Sequence, residues 1–115
     1  MQHKTKMYLL DIQNSIDSIN EYLGKDGNFH SYESNTQLRR AVERELEIIG
    51  EAVNRILKLD PEIDISDSRR IVNLRNLVIH AYDSVDNVII WGIIDNDLPL
   101  LRNQVSELLK NYNSW

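Results

Sequence analysis

The chain has 115 residues, a formal net charge of −5 and no cysteine. That length suits a single domain over residues 1–115 with a core that needs no staples. The lack of thiols excludes disulfides, zinc–thiolate centres and cysteine nucleophiles, and the acidic balance argues against a general nucleic-acid coat protein.

The N-terminal run MQHKTKMYLLDIQ is broken by Asp11 and Gln13 and does not read as a signal peptide. Apolar stretches elsewhere are only a few residues long, far short of a membrane span. A cytoplasmic, membrane-free protein is expected. Leu9, Ile12, Ile16, Ile19 and Leu23 recur at helical spacing and predict a first helix over about 3–23. GKDGNFHSYES, residues 24–34, reads as the long loop. Ser34 with Gln37 resembles a capping box for a second helix over about 35–59. Its stripe is Leu38, Val42, Leu46, Ile49 and Val53, closed by Ile56 or Leu57. Asp60-Pro61 ends it, because proline disfavours helical geometry in the preceding residue.

A third helix is expected over about 67–82, capped by Ser66 or Asp67, and a shorter fourth over about 85–95, capped by Ser84. Asp97-Leu98-Pro99 reads as an N-cap with proline in the first turn of a fifth helix, about 98–112, bearing Leu101, Val105, Leu108 and Tyr112 on one face. No stretch alternates with period two for long enough to predict a strand. The fold class is therefore all-α: an antiparallel up-and-down four-helix bundle with one additional short helix.

Charge is uneven along the chain. Residues 60–65 carry three acids and no base, and residues 83–101 carry four acids and no base. Between them, residues 66–82 carry three arginines against one aspartate. Within this basic segment lies RNLVIHAY, residues 75–82. Residues of a helix turn by about 100° each, so Leu74, Leu77, Val78 and Ala81 share one sector and face a core. Arg75, Asn76, His80 and Asp83 spread over the other half, and Tyr82 returns to within about 20° of Arg75. Val72 and Ile79 sit among these polar residues. A mixed face opposite a core face suits packing against another surface, and a two-fold dimer is the simplest arrangement. Arg75 and His80 lie about 140° apart on an ideal helix. They meet if the helix breaks near His80, or if a second copy brings its own pair alongside.

Each residue also has a purely structural reading. Arg75 can pair with Asp83, Asn76 can cap or bridge, His80 can sit in solvent, and Tyr82 can pack its ring with the hydroxyl outward. No HxxxH or HExxH pattern is present, so no metal site is expected.

The spacing Arg75, four residues, His80, one residue, Tyr82 resembles the RX4HXY motif of HEPN-domain toxins of the HepT type. The surrounding blocks AVERELEIIGEAVNRI (41–56), RRIVNLRNLVIHAYDSVD (69–86) and VIIWGIIDNDLPLLRNQV (88–105) resemble that family's blocks in the family's order. The resemblance implies a HEPN-like helical homodimer with the two motifs facing across an interface cleft. It implies a metal-independent endoribonuclease with Arg75 and His80 as the catalytic pair and Asn76 in support. It also implies a partner, a minimal nucleotidyltransferase antitoxin of the MntA type, which silences the toxin by AMPylation of Tyr82. RNA is the implied substrate, with transfer RNA a candidate at the level of the family, and no cofactor is implied. Two other readings stand beside it: a non-catalytic nucleotide- or protein-binding partner of a nucleotidyltransferase, and a purely structural dimer.

Overall fold

The computed structural model describes residues 3–25, 27–65, 73 and 84–113. Among these, all regular structure is helical.

Helix α1 spans His3–Leu23. Leu9, Ile12, Ile16 and Ile19 are fully buried, as their spacing requires. The helix ends at Gly24, whose φ of 69° lies in the left-handed region that side chains disfavour. From there its N–H reaches back to the Asn20 carbonyl at 3.0 Å, closing the last turn.

The stretch expected to be a loop contains a second helix, α2, over Phe29–Ser34. Asn28 caps it: its side-chain oxygen accepts from the Ser31 N–H at 2.9 Å, and the Ser31 hydroxyl accepts from the Asn28 N–H at 3.2 Å. This reciprocal pair is the capping box of this region. Ser34 does not cap the next helix, because its hydroxyl donates to the His30 carbonyl at 2.8 Å. Asn35 does so instead, accepting from the Leu38 N–H at 3.0 Å.

Helix α3 spans Thr36–Leu59. It buries Val42, Leu46, Ile49, Val53 and Ile56, so Ile56 rather than Leu57 completes the stripe. Gly50 lies on the buried side as well. The helix stops at Asp60, which has left helical geometry (φ −145°, ψ 85°) before Pro61, with its N–H on the Ile56 carbonyl at 2.8 Å. The helix expected at about 67–82 lies outside the described residues.

The C-terminal part is one continuous helical rod rather than two helices. Helix α4, Ser84–Gly92, passes into a π-helical segment, Ile93–Asp97, and then into α5, Leu98–Asn113. Gly92 and Leu98 both keep right-handed helical angles. Asp97 therefore caps no new helix. The reason lies in Pro99, which has no N–H and whose ring collides with the carbonyl four residues back in a regular α-helix. The wide π turn, in which the Leu98 N–H bonds the Ile93 carbonyl, accommodates it without a break.

Helix α1 packs on both α3 and α5. Asp17 meets Arg102, and Gln13 donates to Ser106 at 3.3 Å, so α5 runs antiparallel to α1. Tyr22 meets Glu45 while Tyr8 and Arg55 line one groove, so α3 is antiparallel to α1 too. Helices α3 and α5 thus share a direction. Ile90, Ile93, Leu98, Leu101, Val105 and Leu109 complete the core from the C-terminal rod. Among the described residues no helix is long and apolar enough to cross a membrane.

Candidate functional site

Arg75, Asn76, His80 and Tyr82 all lie outside the described residues. The structure describes the segments that flank them. Upstream, the chain leaves α3 through a turn in which Ile63 N–H bonds Asp60 O at 3.2 Å and Ile65 N–H bonds Ile63 O at 2.9 Å. Ile65 is buried in the core cluster, which anchors the chain shortly before the basic segment begins. Downstream, α4 begins at Ser84, two residues after Tyr82. Ser84 is thus a helical residue rather than the cap before one.

Helix α4 has two distinct faces. Inward, Ile90 is fully buried and Asn87 is 3% exposed, with its carboxamide oxygen lacking a hydrogen-bond partner among the described residues. Outward, Val88 is 56% exposed and Ile89 39%. A helix that buries an amide and offers two β-branched aliphatics to its outer side reverses the usual arrangement of a monomer's surface helix. Trp91 is half-buried and touches two rings of α2: Phe29 edge-on at 6.2 Å between centroids, and Tyr32 tilted at 5.5 Å. Tyr32 is fully buried. Burial pushes its phenol above the usual range; the Glu43 carboxylate adds to this, and the Arg39 guanidinium opposes it. Neither this aromatic cluster nor the inward turn of Asn87 was legible as a feature in advance. The one signal was three aromatic residues, Phe29, Tyr32 and Trp91, in segments whose period assigns none of them to a stripe.

Away from the motif, an open groove of about 470 Å³ runs between α1 and α3, lined among others by Tyr8, Arg44, Ile48, Glu51 and Arg55. Arg55 is held by Glu51 at 2.9 Å, one turn before it. Charges of both signs alternate along this groove, which does not make a continuous track for phosphates. His3 and His30 are exposed. The described residues contain no group of three or more histidine and carboxylate side chains placed to hold a metal.

The model of one protein family, described as Ribonuclease HepT-like, matches residues 12–108. The chain belongs to this family. The match runs from the middle of α1 almost to the end of α5 and includes Arg75, Asn76, His80 and Tyr82. Among HepT-like relatives, "Probable ribonuclease HepT" of Thermococcus cleftensis is 34% identical over 114 residues, which are 96% of this chain and all of that protein. "Putative RNase MJ1380" of Methanocaldococcus jannaschii is 34% identical over 102 residues, 87% of this chain and 92% of its own. "Putative RNase TTE0752" of Caldanaerobacter subterraneus is 37% identical over 83 residues, 71% of this chain and 74% of its own. No solved structure matches.

Proposed function

We propose that this HepT-like protein is the toxin of a HEPN/MNT toxin–antitoxin pair: a homodimeric, metal-independent endoribonuclease using Arg75 and His80. The observation that carries the reading is the intact Arg75–His80–Tyr82 spacing inside the span matched by a ribonuclease family. RNA brings its own nucleophile. His80 takes the proton from a ribose 2′-hydroxyl as its oxygen attacks the adjacent phosphorus. The P–O5′ bond breaks, and the leaving oxygen receives a proton from the second subunit's imidazole. Arg75 stays charged throughout and holds the phosphoryl oxygens as negative charge gathers on them. Asn76 supports this pair. The products are a 2′,3′-cyclic phosphate and a 5′-hydroxyl. The apolar outer face of α4, directly following the motif, suits burial against a second copy.

The test is cleavage of transfer RNA by the purified protein in the presence of a chelator. His80→Ala and Arg75→Ala should each lower the rate by at least about a hundredfold, the scale of losing a general base in the first and a charge-stabilising donor in the second, with unchanged helix content by circular dichroism. Ends bearing a 5′-phosphate would overturn the mechanism.

Tyr82 carries the regulation. AMP transferred to its hydroxyl by the cognate nucleotidyltransferase adds an anionic group two residues from His80, which competes with an RNA phosphate for Arg75. Mass spectrometry after incubation with that enzyme and ATP should show one adenylyl group on the wild type and none on Tyr82→Phe. Labelling of Tyr82→Phe together with silencing would move the site elsewhere. The net charge of −5 favours a second reading, a non-catalytic binding partner of the nucleotidyltransferase. That reading predicts complex formation without cleavage, whether Arg75 is present or replaced by alanine.

A further inference from the structure

Twelve residues, Gly24 to Asn35, join α1 to α3, where most helix–helix connections in bundles need only about 2–8. The extra length folds into α2. Six residues are far too few for a helix to be stable alone, so α2 exists through what it touches. It touches α3 and α4. Its contact with α4 is aromatic: Phe29 and Tyr32 both engage Trp91. Each end of this module is set by backbone geometry. Gly24 is left-handed, and a Cβ on Gly27 would come within 2.5 Å of the Leu23 carbonyl. Asn35 is extended between α2 and α3. The connection is therefore a separate piece laid across α4 and not a slack loop.

We infer that Phe29 and Tyr32 of α2 form a strap on Trp91, and that this strap is a positioning device for the active-site motif. Helix α4 starts two residues after Tyr82, a reach of about 7 Å at most along the chain. Trp91 lies in the last turn of α4, and because the helix is a rigid rod, whatever fixes its setting limits where the end of the motif can go. Helix α4 is continuous with α5 through the π segment, and among the described residues α2 is the separate element that braces it from the side. Phe29 and Trp91 are thus positioning residues that act through α4, and neither is proposed to touch RNA. This rests on the ribonuclease reading.

The experiment uses the full-length protein with Phe29→Ala, Trp91→Ala and Trp91→Phe. Two quantities are measured: turnover and half-saturating concentration on transfer RNA, and amide hydrogen exchange along the chain. Phe29→Ala and Trp91→Ala should lower turnover by about tenfold or more, the scale of a small misplacement of catalytic groups. The half-saturating concentration should stay within about twofold, since contacts shared by bound RNA and transition state are intact. Exchange should quicken over residues 84–92 and stay unchanged in α1 and α3. Trp91→Phe, which keeps a ring for the strap, should recover most of the turnover. Wild-type turnover in Phe29→Ala would overturn the inference, as would exchange that quickens equally throughout α1 and α3. If the wild-type protein leaves RNA uncut, the ribonuclease reading fails and exchange alone decides. Quickening confined to 84–92 in Phe29→Ala would then uphold the strap, and unchanged protection there would overturn it.

Discussion

Tyr32 is a full tyrosine ring in the core whose hydroxyl finds no hydrogen-bond partner among the described residues. An unpaired buried hydroxyl costs roughly 1–3 kcal/mol against a paired one. Phenylalanine would keep the ring contact with Trp91 and remove that cost. Tyr32→Phe should therefore raise stability by about 1 kcal/mol, read as a higher urea midpoint with an unchanged slope. A lower midpoint would mean that the hydroxyl is satisfied, for instance by a buried water bridging toward Arg39 or Glu43. Surface ion pairs warrant no such expectation. Arg102 grips Asp17 with two bonds of 2.7 and 3.3 Å, yet both side chains are exposed and the pair contributes on the order of 0–1 kcal/mol.

At the scale of elements, the caps separate local chemistry from pattern. Asn35 is the residue whose side chain closes the N-terminus of α3, so Asn35→Ala should destabilise the fold by about 1 kcal/mol. Ser34→Ala, which removes only a bond back to the His30 carbonyl, should cost less. Thermal unfolding of the two variants side by side checks the order, and the reverse order would restore Ser34 as the cap. Helices α1 and α3 were legible because five or more buried positions repeat at helical spacing over more than twenty residues in each. Helix α2 was not, because six residues hold too little period to see, although Asn28 and Ser31 carried its capping signal. The break expected at Asp97 failed for a different reason. A proline after a possible cap fits a helix start and a π turn equally well, and only the continuous right-handed backbone from Gly92 to Leu98 distinguishes them. The candidate site was read only from residue types and spacing, and Arg75, Asn76, His80 and Tyr82 lie outside the described residues. Meeting of Arg75 and His80 calls for a helix break or a second copy, and neither leaves a trace in periodicity.

For the molecule as a whole, the question is what covers the outer face of α4. Val88 and Ile89 are exposed in the isolated chain, a few residues after a motif whose arginine and histidine do not converge on one ideal helix. If this face belongs to the homodimer interface, Ile89→Asp should convert the protein to a monomer by light scattering and abolish cleavage together. A dimer that persists with the aspartate in place would put the interface on another surface. The same variant should keep its helix content, since Ile89 contributes little to the core.

The π segment leaves the C-terminal rod with phase slack. One surplus residue is accommodated between Ile93 and Asp97 without ending the rod. A single deletion there could be absorbed by tightening the wide turn, provided the ring of Pro99 is replaced as well. The same deletion in the middle of α3 has no such reserve. It would rotate every downstream position by about 100° and swing Val53 and Ile56 out of the interior. Length variation among natural versions of this chain should therefore gather at the π segment of the last rod and avoid α3.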